Sequence, residues 1–219
     1  MTTKTELTLE EFWALPPGET AYELVDGQAI PKVSPKYFHS CLQAAILVLI
    51  RSWCKGKVRV GPEWAVTLKR NGETGAVGEV GPVRGFPPLK EPTVGFPDIK
   101  QPANPEGKDW VPTPDLTYIS YNRLPQNWRR NEACPVPCDL AIEIISPDQT
   151  REELAKKAQD YLNAGVLRVV VVDPEAIDIT TFSLDGTPTQ YQGDTKIVDA
   201  LLPGLELSPQ LIFEEAELV

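Results

Sequence analysis

Two apolar runs on either side of a capped helix constrain the fold of this chain more than any other feature. The runs, residues 139–145 and 166–172, are each the length of a strand and mostly apolar. Between them, Thr150-Arg-Glu-Glu153 has the capping-box pattern that begins a helix, and Gly165 is typical of a helix end. A strand–helix–strand unit of this kind joins two parallel strands and covers them. The sequence therefore predicts an α/β fold, with a mixed sheet flanked by helices.

Shorter patterns outline other parts of the chain. Thr8-Leu-Glu-Glu11 is a second capping box and predicts a short helix. Asp26-Gly27 predicts the turn of a strand pair over residues 22–30. Two further strands are predicted, over residues 58–68 and 116–120, from their apolar and β-branched composition.

A long helix is predicted between these strands. Ser34 followed by Pro35 is the pattern of an N-cap and a first helical residue, and Gly56 is a natural end. The apolar residues between them recur with helical spacing, and His39, the one histidine of the chain, falls on that stripe.

Length and composition indicate one domain with an irregular insertion. A chain of 219 residues, 42% hydrophobic and 24% charged, suits a single globular domain. Residues 81–114 contain nine prolines and predict a surface excursion, because proline is excluded from helices and central strands. Pro97-Asp-Ile-Lys100 within it resembles a nuclease motif, but it has neither a strand to hold it nor a second acid nearby.

Cysteine usage and hydropathy favour a cytoplasmic protein that is not bound to a membrane. Cys134 and Cys138 resemble half a zinc site, but no second Cys/His pair completes it, so free thiols are expected. The most apolar stretch, residues 41–50, is too short to span a bilayer. Residues 1–12 lack the pattern of a signal peptide.

The net charge of −10 argues at first against a nucleic-acid partner, but the charge is uneven. Residues 173–219 contain ten acids and one base, giving −9. Residues 1–172 contain 21 acids and 20 bases, giving −1. Two small basic patches could contact phosphates or simply be solvated surface: Arg51, Lys55, Lys57 and Arg59, and Arg123, Trp128, Arg129 and Arg130.

Glu143 is the most unusual residue of the first apolar run. Alternation along a strand places it on the same side as Ala141 and Ile145, where a carboxylate without a partner costs several kcal/mol. Lys157, on the following helix, borders the face that carries Leu154 and is read either as its partner or as a core-edge lysine.

Asp115 is a second candidate acid, because it follows two prolines at the start of a predicted strand. It is read either as a turn residue or as a metal ligand at the mouth of the sheet. An Asp, a Glu and a Lys together in a core indicate a metal-dependent site that cleaves phosphodiester bonds.

Several short segments together resemble one protein family. They cover nearly the whole chain outside the proline-rich excursion, and their combination is specific although each is weak alone. The chain resembles the Uma-type family of restriction-endonuclease-like proteins, within the PD-(D/E)xK nuclease superfamily. The segments are residues 22–27, 114–116, 142–147, 164–166, 172–174 and 201–206, with His39 and with Lys157 four residues before Tyr161.

The resemblance implies a restriction-endonuclease-like fold with a metal site. Asp115 and Glu143 would be the metal-ligand carboxylates, joined by a backbone carbonyl near Ile144. Oxygen ligands of this kind suit Mg²⁺ or Mn²⁺.

The resemblance also implies the remaining site residues. The superfamily lysine usually lies two positions after the second acid, but here that position is Ile145. Lys157 on the next helix takes its place, to orient the attacking water or stabilise the transition state. Glu23 matches an additional acid, and His39 matches a position at the site mouth, where it is either a phosphate contact or an ordinary helix-edge histidine.

The leading prediction is a metal-dependent endonuclease that hydrolyses DNA, working as a homodimer because cutting both strands needs two sites. The alternative is a binding or regulatory protein that keeps the nuclease fold with little or no catalysis. The acidic C-terminal quarter favours this alternative slightly. A third interpretation, a buried structural ion cluster, ranks last, because such a cluster is often no more stable than an apolar core.

Overall fold

The computed structural model describes residues 6–16, 21–70 and 107–219, and in those ranges it has four helices and ten strands. The helices are α1 (Leu9–Trp13), α2 (Tyr37–Cys54), α3 (Arg151–Asn163) and α4 (Pro209–Glu215). The strands are β1 (Tyr22–Val25), β2 (Gln28–Pro31), β3 (Val58–Pro62), β4 (Leu68–Arg70), β5 (Lys108–Trp110), β6 (Leu116–Ser120), β7 (Leu140–Ile144), β8 (Arg168–Asp173), β9 (Asp178–Phe182) and β10 (Thr189–Gln192).

Six strands form a central mixed sheet in the order β10-β9-β8-β7-β6-β3. Strands β7 and β8 are parallel, with α3 as their connection, and the other neighbours are antiparallel. Two small antiparallel sheets, β1-β2 and β4-β5, lie beside it. The strand–helix–strand unit and the α/β mixed sheet predicted from the sequence are confirmed.

The central sheet has an apolar core on each face. From β7, Leu140, Ile142 and Ile144 pack into a cluster with residues of α2 and α4. Ala141 packs into a second cluster with residues of α3. Because side chains alternate along a strand, Glu143 faces the α3 side with Ala141. Burial of each large aliphatic side chain contributes about 1.5–3 kcal/mol and fixes this orientation.

The predicted local signals act as expected in two places. Thr150 and Glu153 form a reciprocal capping box, in which each side chain accepts a hydrogen bond from the other residue's backbone N–H. At the β1–β2 turn, Asp26 and Gly27 both have positive φ, of 49° and 75°. Two positive φ values match the twist of the flanking strands and are tolerated best by Asp, Asn and Gly.

The start of the long helix differs from the prediction. Helix α2 begins at Tyr37, and its N-cap is Lys36, whose side chain makes no capping hydrogen bond. Just before it, Lys32 is held by Thr113 through a 3.0 Å hydrogen bond to its carbonyl. Residues 32–36 have no regular secondary structure, so the cap signal of Ser34 is not used and the helix begins at Tyr37 without a side-chain cap.

Two predicted segment boundaries also change. The strand predicted over residues 58–68 is two strands, β3 and β4, in different sheets, because Glu63 takes a positive φ of 51° and the chain turns. Residues 107–114 of the proline-rich stretch belong to the fold, where β5 pairs with β4. The rest of that stretch, with the Pro97–Lys100 motif, lies outside the described residues.

Two arginines of the predicted basic patches have structural roles. Arg59 donates hydrogen bonds to the carbonyls of Leu124, Pro125, Gln126 and Trp128. It also borders a cleft of about 440 Å³ whose lining includes neither Asp115 nor Glu143. Arg123 is buried against Asp139. The other patch cations are exposed: Arg51, Lys55, Lys57, Arg129 and Arg130.

The cysteines and the apolar character of the helices can be compared with the sequence analysis. All four cysteines are free thiols. No helix within the described ranges combines the length and apolar character needed to cross a bilayer.

Candidate active site

One end of the β6–β7 ladder brings two buried acids together. The antiparallel register pairs Leu116 with Ile142, and one further step of that register places Asp115 opposite Glu143. Asp115 is 2% exposed and Glu143 is 4% exposed. Directly opposed residues of neighbouring strands lie within side-chain contact distance. The two candidate acids therefore lie in one buried place, although they are 28 positions apart in sequence.

Asp115 is surrounded by donors and cations. Its Oδ2 accepts a 2.7 Å hydrogen bond from the Ile144 N–H and lies 3.0 Å from His39 Nε2. Its Oδ1 lies 3.2 Å from Lys32 Nζ. Burial alone would raise the pKa of Asp115, but the His39 hydrogen bond and the Lys32 charge outweigh it and hold the pKa below its ordinary value. Asp115 is therefore a carboxylate at neutral pH.

The pKa of Glu143 is shifted in the opposite direction from that of Asp115. Its Oε1 accepts a 2.7 Å hydrogen bond from the Tyr161 hydroxyl and lies 3.1 Å from Lys157 Nζ. Burial raises the pKa of Glu143 to about 7, and Lys157 opposes that rise while the charges of Asp115 and Glu23 add to it. Burial, with a smaller contribution from the two neighbouring acids, therefore keeps Glu143 more easily protonated than an exposed glutamate.

Lys157 lies between two of the acids. Its Nζ is also 3.4 Å from Glu23 Oε1, which in turn accepts a 2.9 Å hydrogen bond from the Thr113 N–H. Burial disfavours its charge, but Glu143 and Glu23 outweigh burial and raise the pKa of Lys157 above its ordinary value. Lys157 is therefore a fixed cation that points inward from α3, as its spacing from Leu154 predicts.

The structure brings all five side chains singled out from the sequence to this one place. Sequence reasoning missed four others. Lys32 forms ion pairs with Asp115 and Glu63, and Gln43 donates a 2.8 Å hydrogen bond to the Asp115 carbonyl and a 3.0 Å bond to Glu63. Nothing local in the sequence marks these contacts.

Tyr161 is the fourth missed residue, and for it a signal was present. It lies four positions after Lys157, so the two share a helix face, and a buried tyrosine hydroxyl needs a partner. Its ring packs against Trp110, with a centroid distance of 4.7 Å. The site is thus continuous with the apolar core on the α3 side.

The donor set fits a hard divalent cation in type. Asp115, Glu143 and Glu23 offer the carboxylate oxygens that Mg²⁺ and Mn²⁺ prefer. In the described residues, however, no group of three or more His, Cys, Asp or Glu side chains is arranged to hold a metal ion. Ile144 contacts the site through its N–H, which donates to Asp115, and its carbonyl as a metal ligand stays a prediction.

A cleft of about 550 Å³ opens beside this acid cluster. It is lined from α2 by Tyr37, Phe38 and His39, and from the start of α3 by Arg151. His39 belongs to both places, because it lines the cleft and lies against Asp115. A molecule in the cleft would therefore lie next to the acid cluster.

A solved structure shares the fold of this chain. A putative nuclease belonging to DUF820 from Anabaena variabilis ATCC 29413, known from its crystal structure, is 22% identical, with a TM-score of 0.70. The match covers 96% of this chain and 99% of that one. The mixed sheet with flanking helices is the restriction-endonuclease-like fold.

The chain belongs to the Uma2 family, which is described as "Putative restriction endonuclease". The family's sequence model matches residues 89–210, more than half of the chain. A comparison with curated proteins finds no match. The predicted family and fold are confirmed, and nucleases of this fold generally use divalent metal ions.

Proposed function

We propose that this protein is a divalent-metal-dependent endonuclease that hydrolyses phosphodiester bonds of DNA. The observation that carries the proposal is the burial of Asp115 and Glu143 at one end of the β6–β7 ladder, with Lys157 Nζ 3.1 Å from Glu143. Two acids and a lysine are the side chains that such hydrolysis needs, and the family match supports the same chemistry.

Each residue has a distinct task in this proposal. Asp115 and Glu143 would hold Mg²⁺ or Mn²⁺, which would polarise the phosphate and lower the pKa of a bound water. Lys157, held in place by Glu143 and Glu23, is positioned to orient the attacking water and to stabilise negative charge in the transition state. Glu23 would fix the lysine, and His39, which holds Asp115 and lines the cleft, would face the incoming strand.

A homodimer is part of the proposal for a protein that cuts both strands, since each strand needs its own site. Size-exclusion chromatography with light scattering tests this separately from activity.

A second candidate is a binding protein with the nuclease fold and little catalysis. One observation favours it: the acids are already paired with Lys157 and Lys32, and no cluster of three metal-ligating side chains is present among the described residues. In this case the protein would bind nucleic acid without cutting it.

Cleavage of a supercoiled plasmid and of a circular single-stranded DNA tests the proposal. The protein should cut one or both with Mg²⁺ or Mn²⁺, and EDTA should stop the reaction. Glu143→Gln should lose activity, whereas Glu152→Gln, the same change at an exposed position of α3, should not. Equal cutting by Glu143→Gln would contradict the assigned site, and binding without cutting by wild type would favour the second candidate.

A further inference from the structure

We propose that the cleft beside the acid cluster binds an unpaired nucleotide of the substrate, so that the DNA is single-stranded where it enters the site. The cleft would hold the base against Tyr37 and Phe38 and a neighbouring phosphate at the start of α2. This inference names the substrate class and rests on the proposed nuclease function.

Two large aromatic rings are exposed at the cleft. Tyr37 is 68% exposed and Phe38 is 51% exposed, and their ring centroids lie 6.0 Å apart. They are adjacent in the first turn of α2 and precede His39 directly. Exposed aromatic rings beside a cleft provide stacking surfaces for bases, and stacking tolerates any base because every base has an aromatic face.

The start of α2 provides a place for a phosphate. No side chain caps this 18-residue helix, and the first backbone N–H groups of a helix lack partners within the helix. Its N-cap residue, Lys36, adds a positive charge at the same place. Uncapped N–H groups and the helix dipole together favour an anion there.

His39 is an independent sign that the cleft receives a ligand. The side chain is buried, with 5% of the residue exposed, and its Nε2 is used by Asp115. Its Nδ1 is buried and, among the described residues, has no hydrogen-bond partner. A buried polar atom without a partner costs free energy, and because His39 lines the cleft, a small shift of its ring toward a ligand there would recover it.

The charges around the cleft favour a base over a duplex backbone. The cations Lys36 and Arg151 are matched by the acids Asp173 and Glu175 on the same lining. Arg151 is already paired with Asp173 at 2.7 Å, and it also pairs with Asp178. Duplex DNA is held mainly through phosphate charge, and a balanced cleft on a protein of net charge −10 supplies little of it.

His39 connects the cleft with the acids, because it lines the cleft and contacts Asp115. Tyr37, on which the base would stack, precedes His39 by two residues on α2, and His39 Nε2 lies 3.0 Å from Asp115 Oδ2. A nucleotide bound in this cleft would place its own phosphate, or the next one, near His39 and so beside the acid cluster. Stacking would place the strand for cleavage without strong backbone contacts.

Binding measurements on the Glu143→Gln protein, which should not cut, test the inference. The probes are a single-stranded DNA oligonucleotide with a central 2-aminopurine and the same oligonucleotide in a fully paired duplex, with Mg²⁺ present. Fluorescence anisotropy gives the affinity, and quenching of 2-aminopurine reports stacking. Tyr37→Ala/Phe38→Ala removes both rings, Tyr37→Phe keeps a ring, and Trp13→Ala removes an exposed ring elsewhere, on α1.

The inference expects the single strand to bind at least tenfold more tightly than the duplex, with 2-aminopurine quenched. The double alanine variant should bind about tenfold more weakly and lose the quenching. Tyr37→Phe and Trp13→Ala should behave as the parent. Both replaced rings are exposed, so an unchanged melting temperature should show that the double variant is folded.

Four results would overturn the inference in distinguishable ways. Equal or tighter duplex binding, or full affinity in a folded double alanine variant, would refute it while wild-type cleavage of plasmid left the nuclease proposal intact. Loss of affinity in Trp13→Ala to the same extent would show a non-specific effect of aromatic removal. No binding of either probe and no cleavage by wild type would refute both proposals.

Discussion

The two ends of the β6–β7 ladder each bury an aspartate, and they use it differently. At one end, Asp115 lies with Glu143 and Glu23 among several cations. At the other end, Asp139 is fully buried, accepts a 2.6 Å hydrogen bond from the Ser120 N–H, and pairs with Arg123 at 3.1 Å. The first end is a cluster of acids, whereas the second is a single ion pair.

The Asp139 end is closed by its own backbone. Arg123 donates hydrogen bonds to the carbonyls of Pro137, Cys138 and Gly165, at 2.8, 3.1 and 3.0 Å. Burial raises the pKa of Asp139 and lowers that of Arg123, with each opposing the shift of the other. Burial of an acid is therefore no mark of a functional site. Several acids held together beside an open cleft distinguish the Asp115 end.

The largest expected effect is at the closed end. Arg123→Ala would leave Asp139 buried without its cation and should destabilise the fold by about 3–5 kcal/mol. Urea unfolding monitored by circular dichroism measures this. Arg129→Ala, at an exposed arginine of the same loop, should change stability by no more than about 0.5 kcal/mol. Similar values for both variants would remove the structural role assigned to Arg123.

The next effect is at the Asp115 end, where a cation should matter more for activity than for stability. Lys157→Met leaves the Tyr161 hydroxyl bonded to Glu143 and the Thr113 N–H bonded to Glu23. The expected stability loss is about 1–3 kcal/mol, smaller than for Arg123→Ala. Cleavage should fall about a hundredfold or more, because the group that stabilises transition-state charge is gone.

Plasmid cleavage and urea unfolding of the same Lys157→Met sample separate the two quantities. A variant that is destabilised as much as Arg123→Ala and cleaves in proportion to its folded fraction would make Lys157 structural. Both ends of the β6–β7 ladder would then hold a cation whose role is structural.

A smaller effect is expected from the tyrosine that bonds to Glu143. Tyr161→Phe removes a 2.7 Å hydrogen bond but keeps the ring packed on Trp110. At pH 5, where Glu143 with its pKa of about 7 is protonated, urea unfolding should show a stability loss of about 1 kcal/mol. Tyr22→Phe, at an exposed tyrosine, is the matched control and should be neutral. A neutral Tyr161→Phe would mean that the hydroxyl makes no net contribution at the acid cluster.

The smallest effect concerns the thiols at the closed end. Burial raises the pKa of Cys134 to about 11 and that of Cys138 well above its ordinary value. A thiol reacts as its thiolate, so at pH 8 both should be inert to Ellman's reagent in the folded protein and react once urea unfolds it. Cys41, which is partly exposed, is the internal comparison. Rapid reaction of Cys134 or Cys138 in native protein would show that this end opens.

The acid cluster was largely predictable because its signals are local. A glutamate inside an apolar strand, and a lysine placed at helical spacing from Leu154, are visible in a dozen residues of sequence each. Thr150 and Glu153 likewise announce the helix that carries Lys157. Strand alternation and helix periodicity then fix the directions of these side chains before any long-range contact is known.

The roles of the buried cations could not be predicted, because they depend on contacts between segments that are distant in sequence. Arg59 and Arg123 read as surface cations, but they satisfy backbone carbonyls up to 69 and 42 positions away. Lys32 meets Asp115 across 83 positions. The start of α2 was misplaced because Ser34 carries a local cap signal that the folded chain does not use. The resulting uncapped helix start is where the nucleotide proposal places a neighbouring phosphate.

Binding of a divalent ion at the Asp115 end is the central claim, and thermal unfolding with and without Mn²⁺ tests it most directly. At about ten times its Kd, the ion should stabilise wild type by about 1.4 kcal/mol, which raises Tm by about 3–6 °C. Glu143→Gln should lose this shift, and Glu152→Gln should keep it. An equal rise in Glu143→Gln, or no rise in wild type at millimolar Mn²⁺, would contradict the metal site assigned to Asp115 and Glu143.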